Sequence, residues 1–168
     1  FVAVWEHYHD GSGYGIRARR FNASGSPLAG GFWVNNNISG HQYRPAVSPL
    51  PDGNFVIIWD SDNQDGSSYG IFGQRHNISG ADTGAEFRVN TYTPDTQYYC
   101  DSASLAAGAF VAVWTSANED GNSWGVYAQR YKQDGSKNGN PFRVNTYIVN
   151  QQYQPKVGSH ADGRFSVA

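Results

Sequence analysis

The sequence predicts an all-β fold of tandem four-stranded antiparallel units, best read as β-propeller blades. Three observations carry this. The first is an internal repeat. Phe1-Val-Ala-Val-Trp5 returns as Phe55-Val-Ile-Ile-Trp59 and Phe110-Val-Ala-Val-Trp114, and begins again as Phe165-Ser-Val-Ala168, at offsets of 54, 55 and 55 residues. A fixed period of this order marks propellers, solenoids or arrays. The repeat units are 1–54, 55–109 and 110–164, with 165–168 opening a fourth. The second observation is that Phe55-Val-Ile-Ile-Trp59 is apolar on both faces, so it must be covered on both. The third is a set of turn signals at matching places in every unit.

Each unit reads as four short strands. The first is the Phe-x-x-x-Trp segment. The second is Tyr14–Phe21 with its copies from Tyr69 and Trp124, and the third ends in Phe32-Trp-Val-Asn35, Phe87-Arg-Val-Asn90 and Phe142-Arg-Val-Asn145. The fourth lies near Tyr43–Leu50, Tyr98–Leu105 and Tyr153–Gly158. β-branched and aromatic residues fill these runs, and Gly, Asn, Asp and Ser separate them. Asp10-Gly11, Asp65-Gly66 and Asp120-Gly121 suit hairpin turns between strands one and two. Ser24-Gly25, Ser79-Gly80 and Asp134-Gly135 do the same between strands two and three. Asp52-Gly53 and Asp162-Gly163 link successive units. Ala18, Gly73 and Ala128 place small residues mid-strand, where another blade could approach.

The alternative is the β-trefoil, which also repeats four strands three times. Two-sided apolar strands and the extra Phe165–Ala168 suit it less. Blade burial between two neighbours is what a propeller supplies. Three blades do not close a ring, since propellers use roughly four to eight. The units are therefore expected to continue in a longer chain or to close against a second copy. The start at Phe1 and the stop inside a repeated motif fit that expectation.

Composition narrows function. Charged residues are 15% of the chain, against about 25% in an average domain. Net charge is -2 and no basic stripe appears, which argues against a nucleic-acid partner. No apolar run approaches the ~18 residues of a membrane span. Cys100 is the sole cysteine, so no internal disulfide forms; it reads as a buried, inert thiol.

Gln64-Asp65-Gly66-Ser67-Ser68-Tyr69-Gly70-Ile71 with Gln74-Arg75, and Phe87-Arg88-Val89-Asn90-Thr91-Tyr92, resemble the tandem repeats of very large secreted or surface-attached bacterial proteins. Many of those are similar to calcium-dependent adhesins of the repeats-in-toxin kind. The resemblance covers essentially the whole chain. It departs at Glu6-His7-Tyr8-His9 and at Tyr99-Cys100-Asp101-Ser102-Ala103. It implies an extracellular or cell-surface repeat module and transfers no catalytic residue.

Candidate sites stand beside plainer readings. Asp60, Asp62 and Asp65 crowd three carboxylates before a glycine, the oxygen-rich kind of loop that calcium takes; the plainer reading is a solvated hairpin. His7 and His9, with Asp10, have the types for zinc or copper, but other units lack the pair. Arg20, Arg75 and Arg130 recur in strand two, either tying blades together through backbone or binding a sugar or anion. Trp5, Trp59 and Trp114 read as core. Trp33 and Trp124 read as more exposed, and as candidate sugar platforms. Asn35, Asn90 and Asn145 read as Asx-turns. Asn22, Asn37 and Asn77 head sequons, glycan acceptors in a secreted eukaryotic chain. No nucleophile elbow, metalloprotease, P-loop or dinucleotide motif appears. The expectation is a non-enzymatic, structural or adhesive module whose partners are neighbouring repeats or a second copy. The alternative is a lectin with Trp- and Arg-lined sites between units, and its partner is a glycan. Calcium is the one expected cofactor.

Overall fold

The structure, a computed structural model, describes residues 1–9 and 11–168, and Asp52 by its backbone alone. Asp10, expected in a turn and beside His7 and His9, lies outside the described residues. Among the described residues every strand pairing is antiparallel. The first sheet holds β1 (Val2–Tyr8), β2 (Tyr14–Arg20) and β3 (Phe32–Trp33). The second runs β4 (Gln42–Pro49), β5 (Phe55–Asp62), β6 (Tyr69–His76), β7 (Phe87–Arg88), and the third β8 (Gln97–Ser104), β9 (Phe110–Ala117), β10 (Trp124–Tyr131), β11 (Phe142–Arg143). Two short strands, β12 (Val157–Ser159) and β13 (Phe165–Val167), form a separate pair. Among the described residues no helix is long and apolar enough to cross a membrane.

The units are the propeller-type blades that the repeat predicts, with a shift of phase. The strand that closes each sequence repeat does not join the strands before it. β4 pairs with β5, and β8 with β9, through the 3-10 turns Pro51–Gly53 and Ala106–Gly108. Asp52-Gly53 therefore turns a hairpin inside one sheet.

Burial explains why β5 and β9 are apolar on both faces. Phe55, Ile57, Trp59 and Phe72 pack on Ile16, Ala18 and Val34 of the first sheet. Val56, Ile58 and Ile71 pack on Phe110, Ala112, Trp114 and Tyr131 of the third. The second sheet is thus clamped between two others, and fully burying each such side chain stabilises by roughly 1.5–3 kcal/mol. β1 carries the same motif but is an edge strand. Val2 and Val4 are only partly buried, and Trp5 is 37% exposed where Trp59 and Trp114 are 0% and 1%. The motif predicts residues 1–5 to be buried on both faces; edge position overrides it.

Gly73 is crowded from within its own sheet. A Cβ there would lie 2.9 Å from Phe87 and 3.0 Å from Ile58, its partners on the flanking strands. Its smallness admits those side chains and not a neighbouring blade.

The recurring Asn and Gln form a hub in each unit. Asn90 accepts the Ile71 N–H at 2.8 Å and donates to Gln97 at 2.9 Å and to the Tyr92 carbonyl at 2.8 Å. Asn35 with Gln42, and Asn145 with Gln152, repeat the pattern. These side chains do more than shape turns: they tie β2, β6 and β10 to the chain entering the next sheet.

Candidate functional site: an aromatic track around Arg44

The β4 and β8 ladders each break near their start, between Tyr43 and Ala46 and between Tyr98 and Asp101. Arg44, Tyr99 and Gln154 stand at one repeat position and share a left-handed backbone, with φ of 50°, 56° and 58°. A bulge re-aims side chains. The strained backbone is held by a clasp from the preceding sheet. Glu6, Asp60 and Thr115, also repeat equivalents, accept the N–H of Arg44 at 2.9 Å, of Tyr99 at 3.1 Å and of Gln154 at 3.1 Å.

Above this row the rings gather. Tyr14, Tyr69 and Trp124 open β2, β6 and β10; Tyr43, Tyr98 and Tyr153 precede the bulges. Tyr8 meets Tyr14 with centroids 5.0 Å apart, Tyr14 meets Tyr43 at 5.5 Å and Tyr43 meets Tyr69 at 6.4 Å. Tyr98 touches Tyr99 at 4.2 Å and Trp124 at 4.9 Å. Arg44 joins the two groups, its guanidinium 5.9 Å from Tyr43, 5.5 Å from Tyr98 and 4.7 Å from Tyr99. These are cation–π separations. The result is a track of half-exposed rings across three sheets, with Arg44 at its middle.

Beneath Arg44 lies Asp60. Its side chain is fully buried, and Oδ2 accepts from Arg44 Nη1 at 2.8 Å. Burial pushes this carboxyl up to about 6, against the pull of Arg44 and of the Tyr99 N–H. The Cys100 N–H reaches Oδ1 at 3.4 Å. Cys100 itself is buried and free, and burial pushes its thiol well up, as an inert thiol requires.

The three carboxylates expected to share a calcium ion do not converge. Asp60 faces inward onto Arg44, Asp62 accepts from Asn63, and Asp65 accepts from Asn90 and the Ser67 N–H. Among the described residues no three His, Cys, Asp or Glu side chains are grouped to hold a metal ion. Arg20 and Arg75 reach main-chain oxygens of the next sheet's turn, the blade-tying role. Arg130, at the same position of β10, is exposed. Trp33 lies on outer strand β3 with Arg17 4.8 Å above its ring. Trp124 alone of the expected ligand residues joins the track. Asn22 and Asn77 cap tight turns, each accepting from a Ser hydroxyl and a backbone N–H, and Asn37 accepts the Ser39 N–H. The tyrosines were not among the sequence candidates, although Tyr43, Tyr98 and Tyr153 recur after Gln at the repeat spacing, a signal the sequence does carry.

No protein-family model and no curated protein matches the chain. Among solved structures it is similar to the endo-arabinase from Bacteroides thetaiotaomicron VPI-5482, with a TM-score of 0.58 and 13% identical residues. The match covers 99% of this chain and 64% of that one, so the chain spans under two thirds of that enzyme's length. At this identity the likeness is one of fold. It corrects the expectation of a non-enzymatic chain. That expectation rested on missing catalytic motifs, yet the shared fold is one that an enzyme uses, and a propeller can assemble its site from loops far apart in sequence.

Proposed function

We propose that the chain binds glycans along the track from Tyr8 to Trp124. The observation that carries this is the ring continuity across three sheets, with Arg44 bridging its two halves. Flat, half-exposed rings beside hydroxyl and guanidinium donors suit sugars, whose faces are apolar and whose edges are polar. The fold shared with an endo-arabinase supports a carbohydrate ligand. The resemblance to adhesin repeats supports an extracellular or cell-surface setting, within a larger chain whose neighbouring repeats are its first partners.

A glycan array, followed by calorimetry with arabino-oligosaccharides and with the best array ligand, tests the reading. Tyr98→Ala and Trp124→Ala should each weaken binding at least about tenfold, equivalent to about 1.4 kcal/mol. Assaying reducing ends released from the same oligosaccharides tells whether the bound glycan is also cleaved. Binding to no glycan, or binding indifferent to both substitutions, overturns the proposal.

A further inference from the structure

We propose that Asp60 is a positioning residue for this track, holding Arg44 and the Tyr98–Tyr99 segment in place from beneath. The inference rests on the glycan reading for its consequence, and on the clasp geometry for its content. Three repeat equivalents do one common job: Glu6, Asp60 and Thr115 each accept a bulge N–H. Thr115 shows that this job needs only a neutral acceptor. Asp60 does a second one. The oxygen that takes the Tyr99 N–H at 3.1 Å also takes Arg44 Nη1 at 2.8 Å. One buried oxygen thus fixes a side chain from β4 and a backbone from β8, the two elements that meet at the middle of the track.

Asp60 is fully buried, so a bound sugar cannot touch it. Its influence passes through Arg44, whose side chain is 39% exposed and lies over three tyrosine rings. The titratable groups around it are few. From β4 come Arg44 and Tyr43, from the residue just before β4 His41, stacked on Tyr43 at 5.5 Å, from β8 Tyr98, Tyr99 and Cys100, from β1 Glu6 on the Arg44 N–H, from β6 Tyr69, and from β5 itself Asp62. Arg44 is the one permanent cation in the set. A proton on Asp60 leaves that guanidinium without its charged partner, and a protonated Oδ2 is a weaker acceptor for Arg44 and Tyr99 than the carboxylate oxygen was. With the carboxyl raised to about 6, that change falls between pH 7 and 5.

The test follows the Arg44 side-chain nitrogen resonances by NMR from pH 7.5 to 5, with no glycan present, and glycan affinity over the same range. In the natural protein the Arg44 signals should move with a midpoint near pH 6, and binding should weaken at least about fivefold. In Asp60→Asn the signals should stay flat and binding should be weaker, with a smaller dependence on pH than in the natural protein. Asp60→Thr, copying Thr115, should keep the fold by near-ultraviolet circular dichroism and still bind weakly. Arg44 signals that do not move in the natural protein, or move equally in Asp60→Asn, overturn the inference whatever glycan binds. Signals that titrate as stated, with no glycan bound at any pH, overturn the glycan reading and leave the hold on Arg44 standing.

Discussion

Arg75 reaches out of the second sheet into the third, where its guanidinium donates to the main-chain oxygen of Gln133 at 2.7 Å. A second bond goes to Asp134 at 2.6 Å. Arg20 makes the matching reach from the first sheet, to the carbonyl of Ile78 at 2.5 Å. Ile78 and Gln133 are repeat equivalents, so the same arm latches the same turn twice. A planar fork can serve two carbonyls at once; an ammonium serves them as a point charge.

Arg75→Ala should therefore destabilise the chain by about 1–2 kcal/mol, the range for hydrogen bonds to a charged donor less the screening at a partly exposed site. Arg75→Lys should recover less than half of the loss. Urea titrations measure both. A lysine variant as stable as the natural protein would mean that charge, not the two-pronged geometry, does the latching.

Position within the stack sets a second contrast. Ile58 is fully buried between the second and third sheets, while Val4 on β1 is only partly buried. Ile58→Ala should cost about 2–5 kcal/mol, and Val4→Ala about 1 kcal/mol or less. Equal losses in denaturant titrations would contradict the edge position of β1, although the two segments are near copies in sequence.

That contrast marks how far the sequence reads. The apolar faces of Phe55–Trp59 announced a twice-covered strand because burial acts directly on residue type. The sheet boundary left no such trace, because Tyr43–Leu50 looks the same whether it closes one unit or opens the next. The role of Asp60 was hidden for another reason. Arg44 and Tyr99 lie 16 and 39 residues away, and no spacing rule joins them. Read locally, Asp60 belonged with Asp62 and Asp65; the fold turns it inward. No single tyrosine marks the surface, because each alone is an ordinary strand aromatic, and only stacking across sheets makes a surface of them.

Asp65 offers a direct check on the calcium expectation. Its Oδ2 accepts from Asn90 at 3.1 Å, so Asp65→Ala removes one arm of an internal hub. The variant should lose about 1 kcal/mol, with the same loss in calcium and in chelator. Thermal melts in both conditions decide. If calcium raises the melting temperature of the natural protein but not of the variant, Asp65 is a calcium ligand after all.

His76 gives the clearest dependence on pH. Its repeat equivalents are Phe21 and Tyr131, and all three stack on the phenylalanine that opens the partner strand: Phe1–Phe21 at 4.9 Å, Phe55–His76 at 5.1 Å, Phe110–Tyr131 at 4.5 Å. The site is built for an apolar ring. His76 is fully buried there, also edge-on to Phe32 at 5.4 Å, and its nitrogens find no well-aligned hydrogen bond although Asp82 lies 3.2 Å away. Burial holds its pKa below the ordinary 6.5, outweighing the pull of Asp82 the other way. Below that ordinary value the unfolded chain binds a proton that the folded chain resists. Stability therefore falls as pH drops from about 6.5 toward the lowered folded value. His76→Phe removes the buried ring nitrogens and the titration together. It should gain about 1 kcal/mol at pH 7.5, and its advantage should widen as pH falls to 5. Urea titrations at pH 7.5, 6 and 5 measure this. An advantage that shrinks as pH falls would show that His76 takes up its proton more readily in the fold, paired with Asp82, and that the ion pair and not the aromatic stack governs this position; an advantage constant with pH would show that folding leaves its titration unchanged, and either result contradicts the buried, resisted proton.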